Sequence, residues 1–330
     1  MNFKTLANLL LNQHNFILIV GVGAGFFFYS VSQYSQHFIV PLLIVAMTLS
    51  MSRVDIKQMF SPAQIIRPTL IMLVFNFILL GGANVLLGYL LTKDSLLRAG
   101  FILLASAPPS LAIPAFAYNL KGNINASLVG TTMGYLASMA IMPLAVGIFG
   151  HEYDISKLLI TIFQIIFLPL LLSQIYRTTK ISRQAEKYHG YIINWCIAVV
   201  AFTLVGLNHA SIVSSDQDMI VPLIVAIVTI FGLGEVIYLV CKRRGIHHSE
   251  IVNYILFGTM KKWAGASAVA LVVFGAKASL PGAIAISVGF LYYCWLVIRW
   301  GIRPSREKRR VLISGYQIAI RCPFLLNSSQ

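Results

Sequence analysis

Apolar residues run along this chain in long blocks, separated by short polar interruptions. The blocks cover 16–32, 37–51, 68–92, 98–118, 125–149, 158–176, 189–208, 219–241, 251–275 and 280–300. Most are long enough to cross a hydrocarbon layer of about 30 Å as a helix. The pattern predicts an all-α polytopic membrane protein with ten transmembrane helices. Lys4 precedes the first block, but that block is longer than the apolar core of a signal peptide. Gly25–Ser32 also offers no clear small-x-small cleavage pattern, so the block is expected to remain as a helix.

Composition agrees with the pattern. The chain has 330 residues, 58% hydrophobic and 11% charged, with a mean hydropathy of +0.81. A soluble domain is nearer a quarter charged. The net charge of +15 would suggest nucleic acid in a soluble protein, but its distribution points to a membrane, and no nucleic-acid partner is expected. Lys93, Arg98, Lys157 and Lys277 fall in the loops of one side, and Lys261 and Lys262 lie inside the ninth block. Every other Lys and Arg falls on the opposite side with both termini. By the positive-inside rule that side is cytoplasmic, and the expected location is the bacterial inner (cytoplasmic) membrane. In the basic tail, 301–330, the run Arg306–Arg310 is expected to lie on anionic lipid headgroups, with protein docking as the alternative.

Ten helices divide into two sets of five, 1–150 and 151–300. An odd-numbered repeat has its second copy inverted in the membrane, an architecture of many secondary transporters. The fourth and ninth helices then correspond, and both are abnormal. The fourth carries Pro108, Pro109 and Pro114 in mid-span. Proline removes a backbone donor and clashes with the preceding turn, and freed carbonyls at that depth must line a buried or wet cavity. The ninth carries Gly258, Gly265 and the lysine pair. An ammonium at bilayer depth costs roughly 3 kcal/mol on insertion scales. The plain alternatives are a proline kink and a snorkelling lysine. Lys261, however, lies about ten residues from either end of its block, roughly 15 Å at 1.5 Å per residue. Both helices are expected to be broken where they cross.

The stretch Ala107–Leu144, APPSLAIPAFAYNLKGNINASLVGTTMGYLASMAIMPL, resembles the bile acid:sodium symporter family, as does the hydrophobic layout of the whole chain. Lys121–Gly122–Asn123, Ser127–Leu128–Val129, Thr131–Thr132 and Met142–Pro143–Leu144 carry the likeness, with a weaker match over Phe257–Gly265. The resemblance implies panel helices 1, 2, 6 and 7, core helices 3–5 and 8–10, and transport of small organic anions, usually with sodium. It places the ion ligands at positions that here read Asn76 on helix three and Ser127 and Thr131 on helix five. A Ser-Asn pair becomes Ile113 and Pro114. A Glu becomes Phe257 or Gly258, and a Gln becomes Lys261 or Lys262, with the register open. The sequence thus removes a carboxylate and adds cations, so no cofactor is expected and sodium is disfavoured. The expected function is sodium-independent secondary transport of a small carboxylate-type anion by alternating access, a lysine ammonium replacing the ion. Thr259 joins the expected crossing region. A lysine that sheds its proton on desolvation would instead cycle a proton. The alternatives are a sodium-coupled organic-anion symporter and an ion/proton exchanger of related fold.

Glu235 is the one carboxylate inside any block and has two readings: a group reaching water at the cytoplasmic edge, or a charge partner for Lys261 or Lys262. Trp263 is read as packing, with a cation–π face for the lysines as the alternative. The histidines fall in loops or at helix ends and read as solvated. The scattered cysteines read as small apolar residues. With no Ser–His or Cys–His arrangement, an enzyme is not expected.

Overall fold

The structure is a computed structural model, described over residues 13–52, 63–149, 155–213 and 217–301. The basic tail with Arg306–Arg310 lies outside the described residues. The helices in chain order are α1 (Gln13–Phe27), α2 (Tyr29–Met51), α3 (63–91), α4 (Ser95–Ser106) and α5 (Ile113–Asn119). They continue with α6 (Ile124–Phe149), α7 (155–178), α8 (Lys180–Leu207), α9 (His209–Val213) and α10 (217–243), then α11 (His248–Thr259), α12 (Trp263–Phe274) and α13 (Ala276–Trp300). The apolar blocks fall largely on helix, the fourth and ninth being interrupted at 107–112 and 260–262. Among the described residues seven helices are long and apolar enough to cross a membrane: α2, α3, α6, α7, α8, α10 and α13. The chain is therefore a polytopic α-helical membrane protein.

Packing sorts the helices into two groups. α1, α2 and α7 lie along α8, whereas α3–α6 pack with α10–α13 around the main apolar core. Several joints follow from local chemistry. Asp94 caps α4 by accepting from the Leu97 N–H at 2.9 Å. Gly275, at φ +94°, lets the chain reverse from α12 into α13, a backbone shape that a β-carbon disfavours. On one end of the molecule Lys277 Nζ bridges Asp94 (2.8 Å) and Asp218 (2.7 Å), tying the starts of α4, α10 and α13 together. At the opposite end Asn253 donates to the Asn123 carbonyl (2.8 Å), seating the α5–α6 turn on α11.

A regularity not visible as a residue repeat appears in α3 and α10. Both contain a wide π-helical stretch, Val74–Gly81 in α3 and Val228–Gly232 in α10. Pro68 stands six positions before the first and Pro222 six positions before the second, so both features recur with the same offset of 154 positions. The same offset carries Pro108, in the break after α4, onto Lys262, in the break after α11.

One sequence expectation among the histidines needs correction. His189 is not at a helix end in solvent: α8 begins nine residues earlier, and the ring is 2% exposed with a nitrogen 2.9 Å from the Tyr176 hydroxyl. His209 is stacked on Tyr29 at 4.0 Å.

Candidate functional site

The chain between Ser106 and Ile113 leaves helical geometry for identifiable reasons. The residue before a proline avoids the α region, and Ala107, before Pro108, is extended (φ −62°, ψ 148°). The second break has no proline. Met260 is extended (φ −123°, ψ 116°), and its neighbours are held by partners from other helices. Asn76, on the π-helical stretch of α3, donates through Nδ2 to the Phe257 carbonyl at 2.8 Å and the Met260 carbonyl at 3.3 Å, satisfying the end of α11. The Lys262 N–H donates to the Pro108 carbonyl at 2.8 Å and the Ser110 N–H to the Met260 carbonyl at 3.4 Å. Pro109 and Lys261 thus face each other across a one-residue antiparallel bridge where the two interrupted helices meet.

The two lysines leave this break in different directions. Lys261, 1% exposed, turns toward α3. Its Nζ donates to Asn76 Oδ1 at 3.0 Å and to the Ala107 carbonyl at 2.9 Å, and lies 4.7 Å from the centre of the Phe77 ring. Among the described residues no carboxylate meets it. α4 and α11 both end here, so the negative ends of two helix dipoles converge on the ammonium. Partial charges and a ring face take the place of a counter-ion.

Lys262 turns the other way. It lines a narrow cleft with Met47 of α2, Ile165 of α7, Met142 of α6, Pro108, and Gly265, Ala266 and Val269 of α12. The cleft therefore lies between the two helix groups. Among the described residues, Lys262 Nζ has no hydrogen-bond or ion-pair partner.

The remaining candidates divide. Pro108 contributes its carbonyl and lines the cleft, and the Pro109 ring packs on Gly134 of α6. Pro114 sits in the first turn of α5, where a missing N–H costs nothing. Ser127, Thr131 and Thr259 are buried, but each hydroxyl returns to its own helix: Ser127 to Ile124 (2.7 Å), Thr131 to Ser127 (2.7 Å), Thr259 to Ile255 (2.7 Å). No hydrogen bond joins these hydroxyls to Asn76 or Lys261. The space beside them holds the Phe257 ring, whose Cζ would stand 2.8 Å from a β-carbon on Gly130.

Glu235 is not a partner of either lysine. Its carboxylate takes Arg299 Nη1 at 2.7 and 2.9 Å and Trp295 Nε1 at 3.1 Å, near the end of α13. Sequence reasoning could not weigh Arg299 as a competitor, because only the packing of α10 on α13 brings the two together. Trp263 packs on Gly289 of α13, and the ring facing an ammonium is Phe77, which nothing in the sequence singled out.

An all-helical membrane protein whose two broken helices exchange backbone hydrogen bonds around a buried charge, beside a cleft between helix groups, belongs to the class of membrane transporters. Residues 40–215 match the model of the sodium bile acid symporter family, more than half of the chain, and the chain belongs to that family. Members of the family are transporters rather than enzymes. The matched stretch contains Asn76 and α4–α6 and stops before Lys261 and Lys262. Comparison with curated proteins gives no match.

Proposed function

We propose that this protein is a sodium-independent secondary transporter of a small organic anion, built as two inverted five-helix repeats and working by alternating access. The panel is helices α1, α2, α7 and α8, and the core is α3–α6 with α10–α13. The common offset of the prolines, π-helical stretches and breaks supports the repeat, and the grouping of helix contacts supports the division. The observation that carries the coupling proposal is Lys261 Nζ held at 3.0 and 2.9 Å by Asn76 Oδ1 and the Ala107 carbonyl. A sodium ion needs several oxygens to replace its hydration shell. Here two of those oxygens are engaged by a cation that is covalently part of the protein. The hydroxyls of Ser127 and Thr131 are turned to their own helix, beside the apolar Phe257 ring. An ion that never dissociates cannot couple transport to a gradient.

The test is uptake of small carboxylates into proteoliposomes with sodium replaced by choline. Unchanged uptake is expected, and a strong loss without sodium refutes the proposal.

A further inference from the structure

Hydrogen bonds tie helices together within each group: Ser35 meets Thr203 at 2.7 Å between α2 and α8, and Asn119 meets Tyr293 at 2.9 Å between α5 and α13. A side-chain bond also crosses from group to group. Asn208, the residue after α8, donates through Nδ2 to Ser279 Oγ of α13 at 3.0 Å, and both residues are buried. Ser279 is itself anchored, donating to the Ala276 carbonyl at 2.6 Å while its own carbonyl accepts from Ser267 of α12 at 3.1 Å. This contact shares an end of the molecule with Lys277, and the ring of Tyr29, at the start of α2, stacks there on His209. The last residue of α2, Met51, therefore lies toward the opposite end. There the interface between the groups is apolar but for two hydroxyls. Tyr135 of α6 clusters with Met47 and Met51 against Leu170 of α7. Its hydroxyl, and that of Thr48 beside Met47, are buried with no hydrogen-bond partner among the described residues.

We propose that the bond between Asn208 and Ser279 is a latch that holds the two helix groups shut at its end, so that the resting protein parts first at the Tyr135 end. This rests on the reading of the protein as an alternating-access carrier. Parting the groups at the latch breaks a buried hydrogen bond, whose net worth is about a fivefold shift in population. Parting them at the other end breaks apolar contacts alone. It also lets water reach two hydroxyls that burial left unpaired, which recovers their desolvation penalty. The polar terms at the two ends thus have opposite signs. The loops at the latched end carry few Lys and Arg, which makes that end extracytoplasmic. The latch therefore disfavours the state open to the outside.

Double electron–electron resonance on the full chain in liposomes tests this without any substrate. The four native cysteines are replaced by alanine, and spin labels are attached to one of two pairs of exposed positions. Ser95→Cys with Ala210→Cys reports the latched end, and Asn125→Cys with Thr178→Cys the opposite end. Asn208→Ala and Ser279→Ala should each raise the long-distance fraction at the latched end about fivefold, while the opposite pair shifts toward short distances. The double variant should add nothing, because either change removes the same bond. Tyr135→Phe, which deletes an unpaired hydroxyl, should reduce the long-distance fraction of the opposite pair. Circular dichroism establishes folding. Should Asn208→Ala, which also strips the Leu204 carbonyl of its 2.8 Å donor, fail to fold, Ser279→Ala decides. An unchanged distribution at the latched end, equal lengthening at both ends as from loosened packing, an additive double variant, or no response to Tyr135→Phe overturns the proposal. Failure to transport any carboxylate would defeat the carrier reading and leave these distances standing, whereas distances that do not respond defeat the latch even in an active carrier.

Discussion

Replacing Asn76 by alanine removes three interactions at once, and the structure indicates how much each matters. The ammonium of Lys261 loses one of its two oxygen acceptors, a charge-assisted bond of about 1.5–3 kcal/mol. The Phe257 carbonyl loses its 2.8 Å donor, about 1 kcal/mol, and the Met260 carbonyl loses a weaker 3.3 Å contact while keeping the Ser110 N–H. The total is about 3–4 kcal/mol, within the range for stripping a partner from a buried charge. Lys261→Met behaves differently. It leaves Asn76 Oδ1 and the Ala107 carbonyl without a donor, but it also removes a charge that had to be desolvated, and such replacements are often near neutral. Its expected cost is about 1–2 kcal/mol. With the ammonium gone, Asn76→Ala no longer strands a charge, so the double variant falls short of the sum by about 2 kcal/mol. Reversible SDS titration in mixed micelles, followed by circular dichroism, measures all three. Additivity within about 0.5 kcal/mol would mean the two side chains do not interact, and the account of the ammonium would fail.

Other perturbations discriminate less costly contacts. Gly289→Ala drives a methyl into the Trp263 ring. It should cost about 1–3 kcal/mol and blue- or red-shift tryptophan fluorescence, and an unaltered spectrum would contradict the packing. Glu235→Gln breaks a partly exposed pair with Arg299, so a loss of only about 0.2–1 kcal/mol and full transport are expected. Abolished transport would return Glu235 to the mechanism. Asp94 is subject to burial, which raises its pKa, but the Lys277 ammonium and the Leu97 N–H outweigh this and hold it below the usual 3.8. Stability from a depressed carboxylate is present above pH 3.8 and lost as pH falls through the folded value. The melting difference between wild type and Asp94→Asn should therefore be visible at neutral pH, small in size, and fade below pH 3.8. A difference that grows on acidification would contradict this.

The sequence carried the helical architecture because lipid leaves the backbone few alternatives. The apolar blocks mark helices, and Pro108–Pro109 announces one break in covalent chemistry. The second break was legible only through its lysines. Nothing local stops α11 at Thr259; the interruption exists because Asn76 and the Pro108 carbonyl take up its polar groups. Asn76 emerged from a family resemblance and does meet a lysine, whereas Ser127, Thr131 and Thr259, from similar reasoning and position, turn back onto their own helices. Side-chain direction in a helix depends on available carbonyls, which residue identity does not reveal. The separate surroundings of Lys261 and Lys262 were likewise hidden, since they follow from the pairing of Lys261 with Pro109 across the two breaks.

Direct measurement of ²²Na⁺ binding to the purified protein by scintillation proximity, with and without a small carboxylate present, tests the central claim most closely. With the Lys261 ammonium engaging Asn76 and the Ala107 carbonyl, the wild type should show no saturable, displaceable sodium binding under either condition. Saturable binding that unlabelled sodium competes away, strengthened by the carboxylate, would show that a dissociable ion drives this carrier.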